Sequence, residues 1–180
     1  MSQANRGMGL ENLIEYTNTV YRQKRWAVVN KRPTPVKILR THRNGRVEGH
    51  LEKASTVDYE GVYRARALQF ESKSTKEVNR FPLNNFHEHQ VKHLNDCLEQ
   101  GAIAFSIIEF VRHDIRFFVP AKMIVQAWDK AKEGGPKSIS FEELNYTCHV
   151  IPSTRGVPVD YLSIIDKLLQ PKKLPQEVIE

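Results

Sequence analysis

The chain has 180 residues, 40% of them hydrophobic and 9% aromatic, which is enough to bury a core and excludes a disordered chain. A formal net charge of +6 points to an anionic partner, nucleic acid foremost. No apolar run reaches membrane-spanning length, the N-terminus carries no signal-peptide apolar segment, and Cys97 and Cys148 sit in no metal-ligand pattern, so the expectation is one cytoplasmic domain with reduced thiols and no membrane partner.

Residues 1–8 are polar and glycine-bearing and read as a flexible arm carrying Arg6. Leu10, Leu13, Ile14, Thr17 and Tyr21 recur at helical spacing and predict an amphipathic helix ending near Arg25. Glu11 lies beside the apolar stripe, where it either reaches a cleft against the sheet or serves the helix dipole. Trp26 to Val29 reads as a strand, and Lys31-Arg32-Pro33-Thr34-Pro35 interrupts it, because proline cannot donate to a ladder. Val36, Ile38 and Leu39 open another strand. The next stretch has the hairpin dipeptide Asn44-Gly45 flanked by Arg40, His42, Arg43, Arg46, His50 and Lys53. With so little to bury, residues 40–54 are expected to protrude, either as a phosphate-contacting stalk or as a solvated loop.

Asp58 to Lys73 holds an aspartate, an expected turn at Glu60-Gly61, a second run of β character, and Glu71-Ser72-Lys73. Side chains two apart on a strand share a face, so Glu71 and Lys73 point together, and a hairpin brings Asp58 beside them. Two carboxylates can hold a hard cation that activates water, and the ammonium can orient that water or neutralise charge on phosphate. Spacing alone also fits a surface hairpin with Glu71 and Lys73 solvated and paired.

A basic, turn-rich segment carrying Lys76 follows. His87, His89 and His93 do not share one helix face and have no further partner, which argues against zinc. Val91, Leu94 and Leu98 define a helix that stops before Gly101, with Gln90 on the Leu94 side. Ile103 to Phe110 is apolar throughout, as in a central strand buried on both faces. Ile115 to Val119 pairs with it through His113-Asp114, Pro120 starts a helix, and Ser140 to Glu143 is a capping box. Tyr161, Leu162, Ile165, Leu168 and Leu169 form a last helix, and residues 171–180 read as a polar tail. The order predicts an α/β fold with a mixed sheet flanked by helices.

Helix, hairpin with aspartate, Glu-x-Lys, helix and buried strand together resemble the restriction-endonuclease-like PD-(D/E)xK core. More narrowly, the chain resembles the RecU family of Holliday junction resolvases. The resemblance rests on Asn5-Arg6-Gly7-Met8 with Glu11, Lys31-Arg32-Pro33-Thr34-Pro35, Ser55-Thr56-Val57-Asp58-Tyr59 with Gly61, Phe70-Glu71-Ser72-Lys73, Phe81-Pro82-Leu83 with Asn85 to Gln90, and Val159-Asp160-Tyr161.

It implies a homodimer that binds four-way DNA junctions and nicks them symmetrically with Mg²⁺ or Mn²⁺. Asp58 and Glu71 match the metal-binding carboxylates, with Thr56 and Gln90 added to the metal set. Lys73 matches the catalytic lysine, and Glu11 and Gln90 resemble auxiliary active-site residues. The Arg40–Lys53 segment resembles the stalk that enters the junction. The implied DNA contacts are Arg6, Arg40, Arg43, Arg46, Lys53 and Lys76, and recombinase and branch-migration proteins are implied partners. The stretch before Asn5 is shorter than the basic extension of some members, so contacts through such an extension are not carried over.

Two other readings stand beside this one: a general DNA repair nuclease on the same core, and a junction-binding architectural protein that does not cut. Clustered carboxylates would repel phosphate in a pure binder, which favours the enzyme.

Overall fold

The computed structural model describes residues 9–51 and 56–170. Helix α1 (Leu10–Gln23) buries Leu13, Ile14, Thr17 and Tyr21, the stripe its spacing predicts. Arg25 then takes a left-handed φ of 56° and turns the chain into β1 (Val28–Lys31). The strand begins later than the apolar run because the Trp26 ring packs against Tyr21 at 6.0 Å instead of joining the ladder.

Strands β2 (Val36–Thr41) and β3 (Val47–Leu51) pair only with each other, so the hairpin starts at Val36 and stands apart from the main sheet. Next come β4 (Tyr59–Tyr63), β5 (Arg66–Thr75) and β6 (Arg80–Pro82). Helix α2 (Glu88–Glu99) crosses over to β7 (Ile103–Phe110), which turns at left-handed Asp114 into β8 (Ile115–Pro120). Then follow α3 (Ala121–Lys132), β9 (Ser138–Ser140), α4 (Phe141–Thr147), β10 (His149–Val150) and α5 (Tyr161–Leu169). The main sheet has the order β1-β4-β5-β7-β8-β10, with β5 and β7 parallel and its other pairs antiparallel. A mixed sheet flanked by helices is therefore the fold. Among the described residues no helix is long and apolar enough to cross a membrane.

The expected turn at Glu60-Gly61 is corrected. Both residues lie inside β4, and the chain reverses at Arg64-Ala65, each with positive φ (47° and 59°) as a two-residue primed turn requires. Gly61 serves a different need: a Cβ there would come within 2.3 Å of the Val28 carbonyl oxygen across the β1–β4 pair. Strands β6, β9 and β10 escaped sequence reading because each is two or three residues long and shows no alternation.

Two cores sit on the two faces of the sheet. Leu68, Phe70, Phe105 and Ile107 face α1 and α5, while Ile108, Phe110 and Phe117 face α2 and α3. On the first face the rings of Tyr59, Phe70, Phe105 and Phe118 stack one per strand, at 4.8, 4.6 and 4.3 Å between successive centroids. Such cross-strand aromatic pairs stabilise one register over its neighbours.

Candidate metal centre and nucleic-acid interface

That register builds the site. Tyr59 pairs with Phe70 and Glu60 with Gln69, so the same pairing continued one residue sets Asp58 opposite Glu71. A one-residue slip would send Glu71 to the other face, against α1. Asp58 Oδ2 accepts the backbone N–H of Ser72 at 2.9 Å and the Ser72 hydroxyl at 3.3 Å. Ser72 acts chiefly through its backbone, which is why its part has no signature in the sequence.

Glu71 is completely buried. Its Oε2 accepts from Gln90 Nε2 at 2.8 Å and from Lys73 Nζ at 2.8 Å. The solvated surface pair that spacing allowed is thereby excluded for Glu71, and the Lys73 side chain itself is 18% exposed. The other oxygen, Oε1, is buried with no hydrogen-bond partner among the described residues. Burial first, and then the negative charge of Asp58, push the Glu71 carboxyl up to about 8, against the opposing pull of Lys73.

An orphaned buried acceptor beside a second carboxylate is costly unless a proton or a cation sits there. The donors are all oxygen, which suits a hard cation such as Mg²⁺ or Mn²⁺. The residues therefore fit a divalent cation held between Asp58 and Glu71. No group of three or more His, Cys, Asp or Glu side chains gathers among the described residues. Such a cation would keep several water or phosphate oxygens, as Mg²⁺ does when one or two carboxylates bind it.

The remaining expected site residues make the following contacts. Gln90 spends both ends of its amide, donating to Glu71 and accepting the His87 backbone N–H at 3.0 Å. It thus orients Glu71 and caps α2. The Thr56 hydroxyl accepts from Arg32 Nη1 at 2.7 Å. Glu11 is 59% exposed and binds Lys31 at 2.7 Å, with Glu15 completing the cluster at 3.1 Å. It borders the site only through a cleft shared with Asn12, Ser72 and Ser74.

On the nucleic-acid side, Arg40, Arg43 and Arg46 are exposed on the β2–β3 hairpin. His42 and Arg46 pair across its tip (His42 N to Arg46 O, 2.8 Å), and Gly45 supplies the left-handed residue with φ 80°. The hairpin also exposes Val36, Ile38, Leu39 and Val47. Lys76 is exposed just past β5. Arg6, Lys53, the 1–8 arm and the 171–180 tail lie outside the described residues.

Fold and site together define an α/β protein that gathers two carboxylates and a lysine on one mixed sheet. A family model described as Recombination protein U matches residues 5–167, and the chain belongs to that family. The Holliday junction resolvase RecU of Oceanobacillus iheyensis is 39% identical over 170 residues, covering 92% of this chain and 87% of that protein. The Holliday junction resolvases RecU of Leuconostoc mesenteroides (40% identical, 92% of this chain, 82% of that protein) and Geobacillus kaustophilus (39%, 92%, 85%) are similar to the same extent. Among solved structures, Hjc, a Holliday junction resolvase from Archaeoglobus fulgidus, is similar at 15% identity and a TM-score of 0.42, over 73% of this chain and 89% of that one.

Proposed function

We propose that the protein is a structure-selective endodeoxyribonuclease of the PD-(D/E)xK type. It would bind four-way DNA junctions as a homodimer and nick two strands symmetrically in recombination and repair. One observation carries this reading: Glu71 is buried beside Asp58 with an unpartnered oxygen, on a family member whose curated relatives are named Holliday junction resolvases. A protein that only held DNA would have no use for a buried carboxylate that burial and a neighbouring charge both penalise.

Asp58 and Glu71 would hold the divalent cation, Mg²⁺ or Mn²⁺, which when bound supplies Lewis-acid stabilisation of the leaving oxyanion and an activated water. Lys73 directs its ammonium from the same strand face as Glu71, where it offsets charge growing on the scissile phosphate. Gln90 fixes the Glu71 carboxylate from α2, so the pair is held before substrate arrives. The β2–β3 hairpin, with Arg40, Arg43 and Arg46, is suited to the open centre of a junction, where one protrusion meets phosphates of several arms.

The same reading makes the chain one nuclease domain of the cytoplasm, with recombinase and branch-migration proteins as partners. Its test is incubation of a labelled four-way junction and a matched linear duplex with and without Mg²⁺. Paired symmetric nicks in the junction alone are expected. Equal cutting of duplex would favour a general repair nuclease, and binding without cutting an architectural protein.

A further inference from the structure

Three features stand in line along one edge of the main sheet. β1 and β5 are each antiparallel to β4, which lies between them, and β7 is parallel to β5. The carboxyl ends of β1, β5 and β7 therefore open on the same edge. From the end of β1 the chain leaves for the β2–β3 hairpin, at β4 and β5 stand Asp58 and Glu71, and just beyond β5 and β7 lie Lys76 and Arg112. Neighbouring strands are about 4.8 Å apart, so the three intervals from β1 to β7 span roughly 15 Å across the sheet, with Lys76 and Arg112 lying farther out along the strand direction than the carboxylates.

The last station is a cleft of about 450 Å³ walled by Lys76, Glu77, Val78, Asn79, Arg80 and Arg112. Its backbone is held from three sides. Thr75 Oγ1 accepts the Glu77 N–H at 3.1 Å, His113 Nε2 lies 2.9 Å from the Val78 carbonyl, and the Phe141 N–H donates to the Asn79 carbonyl at 2.8 Å. The His113 ring in turn stacks on Phe141 at 4.3 Å. Glu77 is the one carboxylate on the wall, and it faces Arg80 at 3.6 Å. Lys76 and Arg112 are exposed and have no ion-pair partner among the described residues. A firmly held rim with two uncompensated cations, open to solvent, is shaped for an extended polyanion more than for a small enclosed one.

We propose that this cleft binds the phosphate backbone of the DNA arm that leaves the nicking site, with Lys76 and Arg112 as the two phosphate contacts. The proposal rests on the nuclease reading and adds to it a second DNA-holding surface, on the far side of the carboxylates from the hairpin. Three residues of extended chain separate Lys73 from Lys76, about 10 Å, and phosphates of one strand rise about 3.4 Å each along the duplex, so the phosphate held lies within about three positions of the one cut.

The test couples protein to substrate. Single phosphates of a four-way junction, on either side of the nick, are replaced one at a time by neutral methylphosphonates. Binding of each junction is then measured for the wild type, Lys76→Ala, Arg112→Ala and Arg112→Glu. In the wild type one substitution within about three positions of the nick should weaken binding several-fold. In Arg112→Ala or Lys76→Ala, junction binding should already be weaker, its log–log salt slope shallower by about one unit, and the same methylphosphonate should cost less than it does in the wild type. Arg112→Glu should bind weaker still, and unchanged melting temperatures will show all three variants folded. Independent, additive losses, or unchanged binding by both alanine variants, overturn the cleft. A wild type that binds the junction but never nicks it overturns the nuclease reading, while the coupling still reports on the cleft. A wild type that binds no DNA overturns both.

Discussion

Gln90 Nε2 donates to Glu71 Oε2 at 2.8 Å while its Oε1 accepts the backbone N–H of His87 at 3.0 Å. One amide thus ties the first turn of the crossover helix to a buried carboxylate on β5. The cap bond holds the amide in place, so its N–H is already aimed at Glu71.

Gln90→Ala should therefore show two separable effects. Loss of the carboxylate's orientation should lower single-turnover nicking, or raise the Mg²⁺ needed for it, by about 10- to 100-fold. Loss of the cap should cost roughly 1 kcal/mol of stability. Stability is read by urea unfolding and the site by single-turnover rates against Mg²⁺ concentration. A variant with a lowered unfolding midpoint but an unchanged Mg²⁺ profile would confine Gln90 to the helix cap.

Asp58→Asn keeps an oxygen for the Ser72 N–H but removes the charge that Glu71 meets. Nicking should vanish at any Mg²⁺ concentration while junction binding stays near wild type, because the proposed phosphate contacts lie elsewhere. In EDTA at about pH 9, where Glu71 ionises beside Asp58 in the wild type, the variant should melt no lower than wild type, since that like-charge pair is gone. Equal loss of binding and cutting would give Asp58 a structural role instead.

Lys73→Ala should slow the chemical step by orders of magnitude with little change in Mg²⁺ dependence, if the ammonium serves phosphate or water as proposed and leaves the cation to the carboxylates. It also strips Glu71 of its ion pair with Lys73. Wild-type single-turnover rates would remove Lys73 from the chemistry.

The pH dependence follows from Glu71. Its carboxyl, at about 8 in the folded protein against an ordinary 4.5, holds a proton that the unfolded chain has already lost between those values. Stability of the metal-free protein should thus fall as pH rises through that window and level off above it. A cation competes with the same proton, so its stabilising effect should grow over the same range. Melting in EDTA and in Mg²⁺ at about pH 5 and about pH 9 checks both slopes. Parallel EDTA and Mg²⁺ curves would mean that no cation binds the ionised pair.

Gly61→Ala tests the register that creates the site. Its methyl would lie 2.3 Å from the Val28 carbonyl oxygen and 2.8 Å from the Val29 Cα, both backbone atoms with little freedom to move. A loss of about 1–3 kcal/mol by urea unfolding is expected, as for overpacking in a tight interior.

The sequence carried the positions of Asp58, Glu71 and Lys73 because strand periodicity is two and leaves little choice of face, and Gln90 because helical spacing put it beside Leu94. It did not carry the turn. Gly61 looks like a reversal when read alone, yet what demands glycine there is the neighbouring β1 backbone, a contact across 33 residues of chain that no local pattern records. Arg64 and Ala65, which do turn, are residue types that seldom adopt positive φ, so they gave no sign. Thr56 and Glu11 lay in the matching stretches, but their side chains are claimed by Arg32 and Lys31, partners that only the folded chain brings to them.

The parallel pairing of β5 with β7 also governs when the protein becomes able to cut. The β4–β5 hairpin closes over two residues and needs only local contacts, so a chain still emerging from the ribosome can already bring Asp58 and Glu71 side by side. Without α2 and β7 in place, Glu71 lacks both its burial and its bond to Gln90. Its buried environment arrives only when α2 has crossed over and β7 has docked, the long-range and slower closure. Completion of the sheet and the burial of Glu71 against Gln90 are thus one event.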